Sequence, residues 1–382
     1  MILNLLLWIL SGFGLVAIVA CGYDLAVGFN RWQRRIHIGR WNDVSAWESA
    51  LENRGRRWFK RMPIVPKLDN DRLIVLDKIR GQYSNPTIQS WQCAGLVLGL
   101  SSTGNDGFRT HFIDDAGNWR HIPVNIDFAL LAYSLMSESD SHSLDAAMKQ
   151  IYELILSVKG DNSAVPYRRG MNEVRFVDTI GFICPFLVRY GVDYAVPEAM
   201  ELARRQIDEY DDMLLAGEVN FPPHAIDCTR RLPLGVYDWG RGIGWYILGV
   251  TESYRCLPES DFKEYLKNRI IKLAGQLLQF QKSSGGWGSS VFISDSPAEG
   301  SVTSLAGLLM VEAYKITGNK TYLCAAEGAI KQLMAITQRN GALDMCQGDT
   351  KGIGNYSVRY GYMPFAQGMA LLLVKRFKDA HA

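Results

Sequence analysis

Two aspartates stand at the heads of apolar stretches. Asp178 lies in Arg175-Phe176-Val177-Asp178-Thr179-Ile180-Gly181-Phe182, followed by Cys184-Pro185-Phe186-Leu187. Asp127 lies in Val124-Asn125-Ile126-Asp127-Phe128. An aspartate at a helix start accepts hydrogen bonds from orphan backbone N–H groups, so capping competes for both. A carboxyl group against an apolar wall has a second use, because desolvation raises its pKa towards the range of a general acid. Two carboxylates at like ends of two inner helices of a barrel would face one another across its mouth. That arrangement suits acid/base chemistry on glycosides.

A third constellation runs from His224-Ala225-Ile226-Asp227 to Asp238-Trp239-Gly240-Arg241-Gly242-Ile243-Gly244-Trp245. Tryptophan faces stack on sugar rings, and an arginine fork grips a carboxylate. Glycines let a backbone approach a ligand. A Trp/Arg packing cluster at a helix start is the competing reading. Trp287, on the glycine loop Gln281 to Gly288, offers another stacking platform, whereas Glu299 before Ser301 reads as an end-of-helix interaction. Dinucleotide, P-loop, nucleophile-elbow and HExxH patterns are missing from the sequence. His111 and His121 make no convincing metal set, so neither a metal nor a cofactor is expected.

The elements that must position these residues are helical. Apolar residues recur at helical spacing over 43–60, 70–84, 87–100, 124–138, 142–158, 174–190, 195–213, 239–256, 260–283, 300–317, 320–338 and 362–378. Sustained alternation of a β-sheet is not seen. The stretch 300–317 is apolar on most sides and reads as an inner helix, while 260–283 carries charges on one face and reads as an outer one. Six hairpins of alternating inner and outer helices predict an all-α fold, a closed (α/α)6 barrel, with an open α-solenoid as the alternative. The loops 101–122, 159–173, 217–238, 284–299 and 340–361 are expected to surround a pocket at one end.

Met1 to Tyr23 carries no charged side chain and is long enough to cross a hydrocarbon core as a helix. A cleaved signal peptide would want Lys or Arg before the apolar run, and none stands there. Arg31, Arg34, Arg35, Arg40, Arg54, Arg56, Arg57, Lys60 and Arg61 follow, opposed by Asp24, Asp43, Glu48 and Glu52. This basic flank predicts a single-pass inner-membrane protein with its bulk in the cytoplasm. The alternative is an exported protein or a lipoprotein, since Ile18-Val19-Ala20-Cys21 loosely resembles a lipidation site. The expected organisation is an anchor over 1–29, a basic juxtamembrane linker over 30–41 and a barrel domain over 42–382. A formal net charge of +2, with its basic excess beside the apolar run, argues against a nucleic-acid partner. The 7 cysteines lack CxxC spacing and read as reduced core residues.

At these motifs the chain resembles the unsaturated glucuronyl and rhamnogalacturonyl hydrolases, glycoside hydrolase families 88 and 105. Val177-Asp178-Thr179-Ile180-Gly181-Phe182 through Pro185-Phe186-Leu187 looks like their aspartate-bearing segment, and Asn125-Ile126-Asp127 like the segment of their second aspartate. Trp239 to Trp245 resembles their tryptophan/arginine/glycine signature, with Ile243 in place of the usual asparagine. The resemblance implies a six-hairpin barrel acting on a 4,5-unsaturated uronic acid at the end of an oligosaccharide. It implies Asp178 as catalytic acid/base and Asp127 as the second site aspartate. His224 and Arg241 would bind the uronate or neighbouring polar groups. Trp239 and Trp245 would wall the sugar, with Trp91 as a further aromatic contact. Two other readings remain open: a glycosidase or lyase acting on saturated glycans, and a non-catalytic membrane-tethered partner in polysaccharide biosynthesis.

Overall fold

A computed structural model describes residues 1–67, 72–104, 107–137, 144–160, 164–213 and 220–381. Its helices are α1 (Ile2–Arg35), α2 (Val44–Lys60), α3 (Ile74–Ile79), α4 (Gln89–Ser101), α5 (Arg109–Phe112), α6 (Phe128–Met136) and α7 (Asp145–Val158). They continue with α8 (Asp178–Asp193), α9 (Pro197–Asp211), α10 (Gly240–Cys256), α11 (Asp261–Leu278), α12 (Gly300–Thr317), α13 (Lys320–Ala335) and α14 (Pro364–His381). The expected helix over 70–84 is reduced to α3. Residues 70–71 of that helix, the end of 124–138 and the start of 142–158 lie outside the described residues. So do parts of the loops 101–122, 159–173 and 217–238.

Burial sorts the helices by their apolar pattern. α4, α6, α8, α10, α12 and α14 are buried on most faces. α2, α7, α9, α11 and α13 bury one stripe. Each inner helix packs on the next, and α14 packs on α4. That last contact closes the ring and excludes an open solenoid, whose ends stay apart. The seam between α4 and α14 needs glycine, since a Cβ on Gly368 would strike the Gly95 carbonyl and one on Gly99 would strike Gly368. Arg376 of α14 donates to both carboxylate oxygens of Glu252 of α10 at 2.5 and 2.6 Å, and Tyr133 of α6 adds a third bond at 2.8 Å. Buried charges persist when paired in this way. The connection from α4 to α6 carries only the 4-residue α5 and no long outer helix among the described residues.

Short strands decorate the helical frame. β1 (Val174–Phe176), β2 (Ala225–Asp227) and β3 (Leu232–Leu234) form an antiparallel sheet in that order, and β4 (Cys346–Gln347) pairs with β5 (Tyr360–Gly361). Strands of 3 or 2 residues hold too few alternations to register as a pattern. Hence the start of the expected helix 174–190 is strand β1.

α1 has 34 residues and is a candidate membrane span by length and composition, with its most apolar window unburied. It runs unbroken through the boundary expected at residue 29. Its far end docks on the barrel: Asp24 accepts the N–H groups of Leu73 and Ile74 at 2.6 and 3.0 Å, and Arg35 pairs with Asp344 at 2.7 Å. The cysteines are free. Cys184 and Cys346 are buried, but Cys21 and Cys324 are exposed rather than core residues.

Candidate active site

The small sheet assembles the site. Phe176 of β1 pairs with Ala225 of β2, so the next position sets Val177 against His224, and the Val177 N–H donates to the His224 carbonyl at 3.0 Å. Asp178 is the next residue and the first of α8. Strand register therefore brings the acid and the imidazole to the same end of the barrel. Trp91 from the start of α4, Asp178, His224, Trp239 and Arg241 line one cleft of about 50 Å³. Tyr167, Phe176, Asp349 and Thr350 complete its wall.

Asp178 is half-buried, and its Oδ2 is buried without a hydrogen-bond partner. Val177 rather than Asp178 holds the cap position of α8 and no side chain makes a cap bond there, so the capping reading does not describe Asp178. Burial pushes its carboxyl up from 3.8 to about 7, against the pull of Arg241, with the Asp349 carboxylate adding to the rise. Asp349 is pushed up as well, again by burial. His224 moves the other way. Burial, helped by Arg241, lowers it to about 4, so the ring is neutral near pH 7. Its Nδ1 lies 3.0 Å from the Tyr356 hydroxyl, and its ring lies 4.4 Å from that of Trp239.

Arg241 is committed to the protein. Its Nη1 and Nη2 donate to the carbonyls of Gln347 and Gly348 at 2.5 and 2.8 Å. The fork thus holds the segment that carries Asp349, and its guanidinium sits 5.2 Å from the Trp239 ring. Trp239 donates to Gln347 Oε1 at 3.1 Å. The glycines of this motif serve packing rather than ligand approach. A Cβ on Gly242 would fall 2.5 Å from the Trp239 ring, one on Gly240 2.6 Å from the Gly288 carbonyl, and one on Gly244 2.6 Å from Leu305.

The remaining sequence candidates sit elsewhere. Trp245 is fully buried in the barrel core, among Trp91, Phe182 and Phe365, with ring centroids 5.3, 4.7 and 4.4 Å away. No face of it is left for a sugar, and it supports the cleft from beneath. Asp127 makes no cap bond and is fully buried. It accepts a short bond from Ser90 and lies 3.5 Å from Arg168. Burial raises its pKa while Arg168 opposes the rise. It does not line the cleft, and the carboxylate that lifts Asp178 is Asp349 rather than Asp127. Asp127 Oδ1 and Arg168 Nη2 are buried without hydrogen-bond partners. Such orphans are rare in native proteins. Trp287 is a core residue whose indole N–H donates to the Leu277 carbonyl at 2.8 Å, so it is not a platform. Glu299 caps α12 through the Val302 N–H at 2.8 Å, as its position suggests, and also accepts the Gln347 N–H at 2.8 Å.

Tyr167, Arg168, Phe176, Asp349 and Tyr356 escape a reading of motifs. Their only signal is membership of the loops 159–173 and 340–361 or of the stretch leading into Asp178. The described residues of the loops 101–122 and 284–299 do not line the cleft. The described residues hold no group of three or more His, Cys, Asp or Glu side chains that could bind a metal.

Comparison with known proteins agrees with this architecture. Residues 107–377 match the sequence model of Glycosyl Hydrolase Family 88. A possible member of glycoside hydrolase family 105 from Salmonella enterica serovar Paratyphi A superposes with a TM-score of 0.70 at 18% identity, covering 89% of this chain and 95% of that one. A second possible member, from Klebsiella pneumoniae, gives 0.68 at 17% identity over 89% and 93%. The unsaturated glucuronyl hydrolase of Bacillus sp. GL1, responsible for the degradation of glycosaminoglycan, gives 0.61 at 14% identity over 87% and 94%. Comparison with curated proteins finds no match.

Proposed function

As the chain belongs to glycosyl hydrolase family 88, a family of carbohydrate hydrolases, we propose that it releases an unsaturated uronic acid from the end of an oligosaccharide, with Asp178 as the acid. The observation that carries this reading is a carboxyl group held up to about pH 7 in an aromatic-walled cleft. Such an acid is protonated at the moment a proton is needed. Asp178 gives its proton to C4 of the double bond, and water adds at C5 and returns a proton to the carboxylate. The hemiketal then opens and the glycosidic bond is lost. Trp239, Tyr167 and Phe176 form the apolar walls, and neutral His224 offers a ring nitrogen to a sugar hydroxyl. Asp127 and Arg168 meet polar groups deeper in the barrel. α1 anchors the enzyme in a membrane, with the basic flank on the cytoplasmic side.

A second reading draws on Asp349. Two carboxyl groups in one cleft also suit a glycosidase that uses one as acid and the other as base on a saturated sugar. The deciding experiment follows the ultraviolet absorbance of lyase-generated oligosaccharides. Loss of the band with the wild type but not with Asp178→Asn supports hydration. An unchanged band with folded protein, together with cleavage of saturated oligosaccharides, transfers the assignment to the second reading.

A further inference from the structure

α1 changes character where the barrel reaches it. Residues 2–19 are exposed on every face, whereas Ala20, Asp24, Val27 and Gly28 are half-buried. That spacing draws one stripe along the helix, so the barrel covers α1 from Ala20 onward. Ala20 lies inside the run from Met1 to Tyr23, which carries no charged side chain. A hydrocarbon core about 30 Å thick takes about 20 residues of helix. A span formed by this run therefore ends close to Ala20 and Tyr23, and the part of the barrel docked there lies at the edge of the hydrocarbon.

The element docked at that level is α3. Asp24 accepts the N–H groups of Leu73 and Ile74 at 2.6 and 3.0 Å. Lys78 donates to the Tyr23 hydroxyl, with its Nζ 4.7 Å from the ring centroid. Leu73 takes the left-handed conformation at φ 59°. A non-glycine residue keeps that conformation only where its surroundings hold it, and the Asp24 bond does so. Ile74 is fully buried. On the side of α3 away from it, Leu76 and Ile79 are 39% and 76% exposed, and Leu73, just ahead of the helix, is 58% exposed. Three large aliphatic side chains thus point outward from the element fastened to the end of the apolar run.

We propose that Leu73, Leu76 and Ile79 form a second membrane contact, entering the bilayer at headgroup level beside α1. The proposal rests on the reading of α1 as an anchor. Two observations favour lipid over a protein partner. The face adjoins the exposed apolar length of α1, so one bilayer covers both. It is also small: a stable protein–protein contact buries roughly 800 Å² on each partner, and three aliphatic side chains supply only a fraction of that. Tyr23 and Lys78 suit the same level. Tyrosine rings settle at the membrane–water interface, and a lysine stem lies along apolar surface while its ammonium stays wet. Held at α1 and at α3, the barrel keeps one stance on the membrane instead of swinging about a single helix.

The test uses the full-length protein in dioleoylphosphatidylcholine vesicles. The photoreactive residue p-benzoylphenylalanine is placed in turn at Ile79, at Leu10 inside the apolar run and at Val192. Val192 is an exposed apolar position at the end of α8 remote from the cleft. All three side chains are exposed, so folding tolerates the exchange. After irradiation, adducts with the lipid and with a second copy of the chain are counted by mass spectrometry. Lipid adducts should form at Leu10 and at Ile79 and be lost at Val192. With the probe moved to Leu76, Ile79→Ser should lower the lipid adduct, because the face no longer enters the bilayer. Adducts at Leu10 without any at Ile79 overturn the second contact and leave the anchor standing. Failure at Leu10 overturns the anchor, and the proposal with it. Adducts at Val192 as abundant as those at Ile79 overturn the contact, since the barrel then meets lipid without preference. Joining of Ile79 to a second copy in place of lipid assigns the face to self-association and overturns it too.

Discussion

Replacing Asp178 by asparagine should make the protein more stable, and increasingly so as pH rises. The native carboxyl titrates at about 7 against an ordinary value of 3.8. Below about pH 4 both the folded and the unfolded carboxyl are protonated, and an amide of the same size gains nothing. Between 3.8 and about 7 the unfolded chain loses its proton while the folded one keeps it, so wild-type stability falls with rising pH. At 1.36 kcal/mol per pH unit the full difference is roughly 4 kcal/mol, an upper bound because solvent reaches the half-buried side chain. The difference is complete above about pH 7. Thermal unfolding of wild type and Asp178→Asn in matched detergent, at intervals from pH 4 to 8, reads this directly. The gap between the midpoints should open through this range and then level. A gap that stays flat would mean that the carboxyl ionises at its ordinary pH, and the argument for a protonated acid would be lost. The activity arm is separate: wild-type kcat/KM should decline above about pH 7, and the variant should lose about 10²–10⁴-fold.

Asp349→Asn removes the carboxylate that helps lift Asp178, so the alkaline limb of the pH–rate profile should move to lower pH by up to about 1 unit. Abolished turnover in that variant would instead make Asp349 the base of a conventional glycosidase. Trp245→Ala should cost about 3–5 kcal/mol of stability with KM little changed in the folded fraction, whereas Trp239→Ala should raise KM. A selective rise of KM in the Trp245 variant would refute its place in the core. Arg376→Met leaves Glu252 buried and unpaired and should lower stability by about 3–5 kcal/mol without altering the pH profile, as followed by thermal unfolding and substrate titration.

The sequence by itself determined the inner helices. The run Gly300–Thr317 is apolar on most sides, and such a helix has no stable place except inside. It also singled out Asp178, because a carboxylate heading the apolar run Thr179–Val188 must lie near a desolvating wall. The loops 159–173 and 340–361 were legible as candidates to surround a pocket. Only the tertiary structure decided what they put there. Strand register, invisible in three-residue strands, set His224 beside Asp178. Closure of the ring brought Asp349 into the same cleft, from a segment 171 positions away with no motif of its own. The same closure turned the Arg241 fork onto the carbonyls of Gln347 and Gly348 and sealed Trp245 among Trp91, Phe182 and Phe365. Periodicity reports which face of a helix is buried, since each residue's place on that face follows from its neighbours along the chain. Whether a buried tryptophan or arginine meets substrate or protein depends on partners far along the chain, and spacing carries no record of them.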